Sequence, residues 1–121
     1  MTKAGKFMKK GEIYFANLDP TIGSEIKKIR PVLIVSNDLS NQFSPLLTVI
    51  PLTSQIDKVY PAELVLMQAD TQLNKDSKAQ CHQIRTISKM RISASSPAGK
   101  ISESLMAKIH RAIHLHLDMD L

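Results

Sequence analysis

Two groups of side chains in this sequence have the types that do chemistry, and their spacing treats them differently. His110 and His114 stand four residues apart, on one face of a helix, so both could reach one ion, with His116 close behind. A metal site needs further ligands, and no carboxylate or cysteine stands near them until Asp118. The trio reads as surface histidines flanking an apolar stripe, so no metal and no cofactor is expected. Cys81 is the single cysteine, and as a nucleophile it would need an activating base. If it lies in a strand, the adjacent His82 points to the opposite face, and Cys81 reads as a buried thiol. HExxH, GxSxG and a phosphate-binding glycine loop are absent, and the chain has only four glycines.

What remains is a dispersed polar set. Ser24, Lys27, Lys28 and Arg30 surround one long loop. Thr53 and Ser54 follow a proline-containing strand, and His82, Gln83 and Arg85 stand near a later one. From spacing alone, this set reads either as ordinary surface polarity or as a surface for an anionic partner.

The elements that must position these residues come from periodicity. Glu12–Leu18 is rich in β-formers, and Asp19–Ser24 is a turn cluster that Glu25–Ile29 prolongs into a loop of about ten residues, long enough to suggest function. The apolar run Pro31–Ser36 predicts a strand buried on both faces. Asp38 is the expected cap of a short turn through Phe43. Leu46–Ile50 predicts a second buried strand, and Pro51, lacking an N–H, predicts an edge or bulge. Ala62–Met67 and Gln80–Ile87 read as two more strands. Leu105, Ile109, Ile113 and Leu117 recur every four residues behind Ser102, which predicts an amphipathic helix of about sixteen residues capped by that serine. The fold class is α+β, mainly β: a small, bent antiparallel sheet or barrel with a packed C-terminal helix.

Composition bounds the function. The 121 residues predict one domain, taken as 10–121, behind a basic arm over 1–9 that is expected to be mobile. Sixteen Lys and Arg against eleven Asp and Glu give a net charge of +5, which suits an anionic partner. Two Tyr, three Phe and no Trp disfavour recognition of RNA by base stacking. One cysteine excludes a disulfide framework and fits a reducing cytoplasm. No apolar run approaches the ~20 residues of a membrane span.

Four blocks carry a resemblance. Lys10–Phe15 with Leu18–Glu25, Arg30–Asp38, Pro51–Ser54 and Gln83–Ile87 resemble, in order and spacing, the blocks of the MazF/PemK family of toxin endoribonucleases. The resemblance implies an SH3-like barrel, a homodimer, and metal-independent cleavage of single-stranded RNA, giving a 2′,3′-cyclic phosphate and a 5′-hydroxyl. It also implies a cognate antitoxin whose acidic, disordered segment folds along the toxin. Arg30 and Thr53 match the family's catalytic positions. By the same analogy, Lys27 and Lys28 flank the RNA channel, and Ser24, Ser54, His82 and Gln83 are candidates for RNA contacts. His82 departs from the acidic residue that many members carry before the fourth-block glutamine. Both a proton-transfer role and a merely base-contacting or exposed imidazole stay open for it. A non-catalytic toxin of the same barrel that grips DNA gyrase, and a nucleic-acid-binding barrel without turnover, are the rival readings; Arg30 and Thr53 together favour the nuclease.

Overall fold

The computed structural model describes residues 7–20, 23 and 29–119. Within them one antiparallel sheet contains β1 (Glu12–Asn17), β2 (Ile29–Ile34), β3 (Leu46–Thr53), β4 (Glu63–Leu66), β5 (Ser77–Gln80), β6 (Arg85–Ser88) and β7 (Gly99–Lys100). Helices α1 (Asp38–Phe43), α2 (Gln68–Thr71) and α3 (Glu103–Leu117) connect or follow the strands. The spatial order is β4-β5-β3-β2-β1-β7, with β6 paired to β3. This is the expected mainly-β, SH3-like fold, a curled antiparallel sheet closed by a C-terminal helix.

β3 organises the sheet. Its first half, Leu46–Val49, pairs with β6, and its end, Leu52–Thr53, pairs with β5. Val49–Pro51 pairs with β2. Pro51 therefore does not mark an edge. It lies in the longest strand, opposite Val32, between the last β6 pair and the first β5 pair. The residue without an N–H falls where β3 changes partners, in the gap between its β6 and β5 pairings.

Alternation builds the core. Ile13, Leu33 and Ile50 join one buried cluster with Leu52, Leu66, Met106 and Ile109, whereas Tyr14, Val32, Ile34 and Val49 join a second with Leu18, Leu47 and Ile87. Successive residues of one strand enter different clusters because the side-chain period is two, so the run 32–35 is buried on both faces as expected. Each such aliphatic side chain contributes about 1.5–3 kcal/mol by leaving water. Met8 also packs against the second cluster, and the Lys10 N–H donates to Asp38 Oδ1 at 2.7 Å. Residues 1–6 of the expected arm lie outside the described residues.

Several boundaries move. Gln80–Ile87 is not one strand: β5 ends at Gln80, a 3-10 turn occupies Cys81–Gln83, and β6 begins at Arg85. The break lets the chain leave the end of β3 and rejoin its beginning while Cys81 is buried. Asn37, and not Asp38, caps α1, its Oδ1 accepting the Ser40 N–H at 2.8 Å. α3 starts behind Ser102 as expected, with the Ser102 Oγ accepting the Leu105 N–H. Leu117 is half exposed, so the packed stripe ends at Ile113.

Candidate active site

Arg30 and Thr53 come from neighbouring strands that run in opposite directions. The ladder pairs Leu33 with Ile50 and Val32 with Pro51. The ladder ends at that last pair, two residues short of Arg30 on β2 and of Thr53 on β3, so both side chains stand just beyond the same end of it. Arg30, Thr53 and Ser54 line one cavity of about 280 Å³, together with Phe15, Pro31 and Leu52. Thr53 is nearly buried, and its Oγ1 accepts the Gln55 N–H at 3.3 Å. That leaves the hydroxyl hydrogen available to a ligand, since a hydroxyl both donates and accepts. A permanent cation and a hydroxyl in one partly enclosed space suit an oxyanion.

The opposite wall, Gln72–Ser77, carries no recognisable motif and was not anticipated from the sequence. It is braced from within. The Gln68 N–H donates to Asp76 Oδ1 at 2.7 Å, the Leu73 N–H to Thr71 Oγ1 at 3.0 Å, and the Met67 N–H to Asp70 Oδ2 at 3.1 Å. β7 supports it from behind, because a Cβ on Gly99 would stand 2.0 Å from the Thr71 carbonyl oxygen, so only glycine permits that approach. The Ser77 hydroxyl in this wall is buried without a hydrogen-bond partner.

Beneath Thr53 lies a buried ion pair that the sequence did not signal, since Lys and Glu are rarely buried. Lys78, the register partner of Thr53, places Nζ 3.0 Å from Glu63 Oε1, with side-chain exposures of 8% and 1%. Glu63 also accepts the Tyr60 N–H at 2.9 Å and the Gln80 Nε2 at 3.0 Å. Burial pushes the Glu63 carboxyl up, but these donors and the Lys78 ammonium outweigh it and hold its pKa below the ordinary value.

The remaining candidates are spread out. His82 and Gln83 sit in the 3-10 turn and do not line this cavity; the His82 ring lies edge-on to His116 of α3, centroids 6.1 Å apart. Cys81 is fully buried, and burial pushes its thiol up to about 11, so it is protonated and inert at neutral pH. Arg85 Nη1 donates to the Leu18 carbonyl at 3.5 Å, and Arg91 Nη1 donates to the Asn17 carbonyl at 3.0 Å and to that of Asp19. Both arginines thus hold the entry to the loop that carries Ser24, Lys27 and Lys28, which themselves lie outside the described residues. Among the described residues no three His, Cys, Asp or Glu side chains gather into a metal site. Nor, among them, is any helix long and apolar enough to cross a membrane.

Comparison with known proteins places this geometry. A family model, the PemK-like, MazF-like toxin of type II toxin–antitoxin systems, matches residues 9–117. The chain is 41% identical over 117 residues to endoribonuclease MazF9 of Mycobacterium tuberculosis, covering 93% of this chain and 98% of that protein. It is 35% identical over 111 residues to endoribonuclease EndoA of Bacillus subtilis, covering 91% and 94%. Among solved structures, MazF from Deinococcus radiodurans superposes with a TM-score of 0.80 at 21% identity, over 94% of this chain and 99% of that one. A mycobacterial endoribonuclease solved with its cognate antitoxin superposes at 0.75, also at 21% identity, over 94% and 98%. Fold and sequence agree, and the chain belongs to the PemK-like, MazF-like toxins of type II toxin–antitoxin systems.

Proposed function

We propose that this chain is the toxin of a toxin–antitoxin pair, an endoribonuclease that cuts single-stranded RNA at selected sites through a metal-independent reaction. Membership of the toxin family and relatives named endoribonucleases support the activity. The observation that carries the assignment of residues is the shared cavity of Arg30 and Thr53.

RNA supplies its own nucleophile. The 2′-oxygen attacks the adjacent phosphorus, its proton leaves to base, the P–O5′ bond breaks, and a proton reaches the departing 5′-oxygen. The products are a 2′,3′-cyclic phosphate and a 5′-hydroxyl, and DNA, which has no 2′-hydroxyl, is left intact. The protein's task is to hold the three reacting atoms in line and to stabilise the charge that grows on the phosphate oxygens. The Arg30 guanidinium, with its planar fork of donors, takes the second role. The Thr53 hydroxyl donates to the same phosphate or orients the 2′-hydroxyl, and Ser54 contacts the backbone beside it. Lys27 and Lys28 supply phosphate contacts from the β1–β2 loop, and Ser24 contacts the strand there. His82 and Gln83, outside the cavity, would meet RNA only where it extends past the 3-10 turn.

Residues 10–121 form the working domain, residues 1–9 a basic arm. The toxin acts in the cytoplasm as a homodimer, and an antitoxin with an acidic, disordered segment blocks the basic channel. The decisive test incubates purified protein with single-stranded RNA in EDTA, comparing wild type with Arg30→Ala and Thr53→Ala. Cleavage by the wild type alone, leaving cyclic phosphate ends, is the expected result. No cleavage of diverse RNAs by the wild type would turn the assignment toward the non-catalytic, gyrase-binding toxins of this barrel.

A further inference from the structure

The segment after Thr53, residues 54–62, joins β3 to β4 and runs largely exposed from the rim of the cavity. Its fixed points come from below. Lys78 Nζ donates to the Lys58 carbonyl at 2.5 Å and lies 5.7 Å from the centroid of the Tyr60 ring. Glu63 Oε1 accepts the Tyr60 N–H, and the Glu63 N–H donates to the Tyr60 carbonyl at 2.9 Å. One buried ion pair thus ties β5, β4 and the loop to each other, and its lysine is paired through the backbone with Thr53 itself. Stability alone does not account for it, because a buried ion pair replaced by apolar residues of similar volume is often neutral or stabilising. The pair does what apolar side chains cannot: both ions bond the backbone of an exposed loop.

Given the ribonuclease reading above, we propose that Glu63 and Lys78 are positioning residues, a buried clasp that holds loop 54–62 in place so that Thr53 and Ser54 meet the RNA in register with Arg30. Neither side chain touches substrate. The clasp acts through Lys58 and Tyr60, and its loss loosens the loop without removing any group of the cavity.

The test is the double variant Glu63→Leu/Lys78→Met in the full-length protein, which removes both charges and leaves neither ion uncompensated. Thermal melting, hydrogen–deuterium exchange of the peptide spanning 54–62, and steady-state cleavage of single-stranded RNA are measured together. Melting should fall modestly while the fold is kept, because the Gln80 amide and the Tyr60 N–H lose the Glu63 carboxylate they bond. Exchange in 54–62 should quicken at least tenfold while exchange in β1 and β2 stays unchanged, and kcat should fall about tenfold with KM changed less than threefold. Wild-type exchange in the loop overturns the clasp. A loosened loop with wild-type kcat overturns its role in positioning. Should the double variant not fold, Lys78→Arg and Lys78→Met carry the same test: arginine, which keeps the charge and the donors, should preserve slow exchange and kcat, and methionine should lose both. Equal behaviour of these two overturns the proposal. If the wild-type protein cleaves no RNA, the ribonuclease reading fails, while the exchange measurement still decides whether the clasp exists.

Discussion

Two hollows among the described residues differ in kind, and the larger is the less reactive. The groove between α1, β3, β6 and α3 has a volume of about 600 Å³, against about 280 Å³ for the cavity of Arg30 and Thr53. It is lined with Ser36, Asn37, Ser40, Ser44, Thr48 and Thr86, which would look well suited to binding. Yet all of these but Ser40 bond one another, a neighbouring side chain or nearby backbone. Ser36 Oγ donates to Asn41 Oδ1, the Thr48 and Thr86 hydroxyls pair at 2.8 Å, Asn37 caps α1, and Ser44 accepts the Leu46 N–H. The smaller cavity holds a guanidinium and a hydroxyl whose hydrogen is available to a ligand, with the Ser77 hydroxyl buried without a partner in its wall. A guanidinium lining the same cavity as a nearly buried hydroxyl, and not volume, separates the site from the hollow.

Four substitutions test that contrast, in descending order of effect. Arg30→Ala should lower kcat/KM on single-stranded RNA by about 10²–10³-fold, the scale of one lost oxyanion donor, with little change in melting. A loss below threefold would remove Arg30 from the chemistry. Gly99→Ala should destabilise the fold by about 3 kcal/mol, the upper range for forced overpacking, because the new Cβ drives against the Thr71 carbonyl and displaces the α2 wall. Chemical denaturation measures it, and a wild-type midpoint would mean the wall is not braced there. Ser77→Ala should stabilise the unliganded protein by about 1 kcal/mol, since a buried hydroxyl without a partner costs on that scale; a lower melting temperature would show that the hydroxyl is satisfied. Thr86→Val, in the larger groove, should change stability by less than about 0.5 kcal/mol and leave cleavage within twofold. A marked loss of cleavage would erase the distinction between the two hollows.

Most of the frame was legible in the sequence because it rests on local rules. The Ser102 cap, the four-residue stripe of α3 and the doubly buried run 32–35 follow from period and capping alone. The sequence blocks brought Arg30, Thr53 and Ser54 forward, and the structure gathers those three in one cavity. What escaped is long-range. α2 is four residues long, too short to show a period, and its place is set by Gly99, far along the chain. The strand read over Gln80–Ile87 breaks because β3 has room for two partners on one side, a fact of the sheet and not of the segment. Lys78 and Glu63 escaped because charged residues read as surface until a partner is seen.

The pairing of Ile13 with Gly99 and Glu12 with Lys100 has a consequence for the order of events. It joins opposite ends of the chain, the contact with the greatest loop-closure entropy in the sheet, whereas β1, β2 and β3 can zip together from near neighbours. By that measure the strand that seats α2 is expected to join the sheet after the central strands. The cavity gains its second wall only when nearly the whole polypeptide has been made.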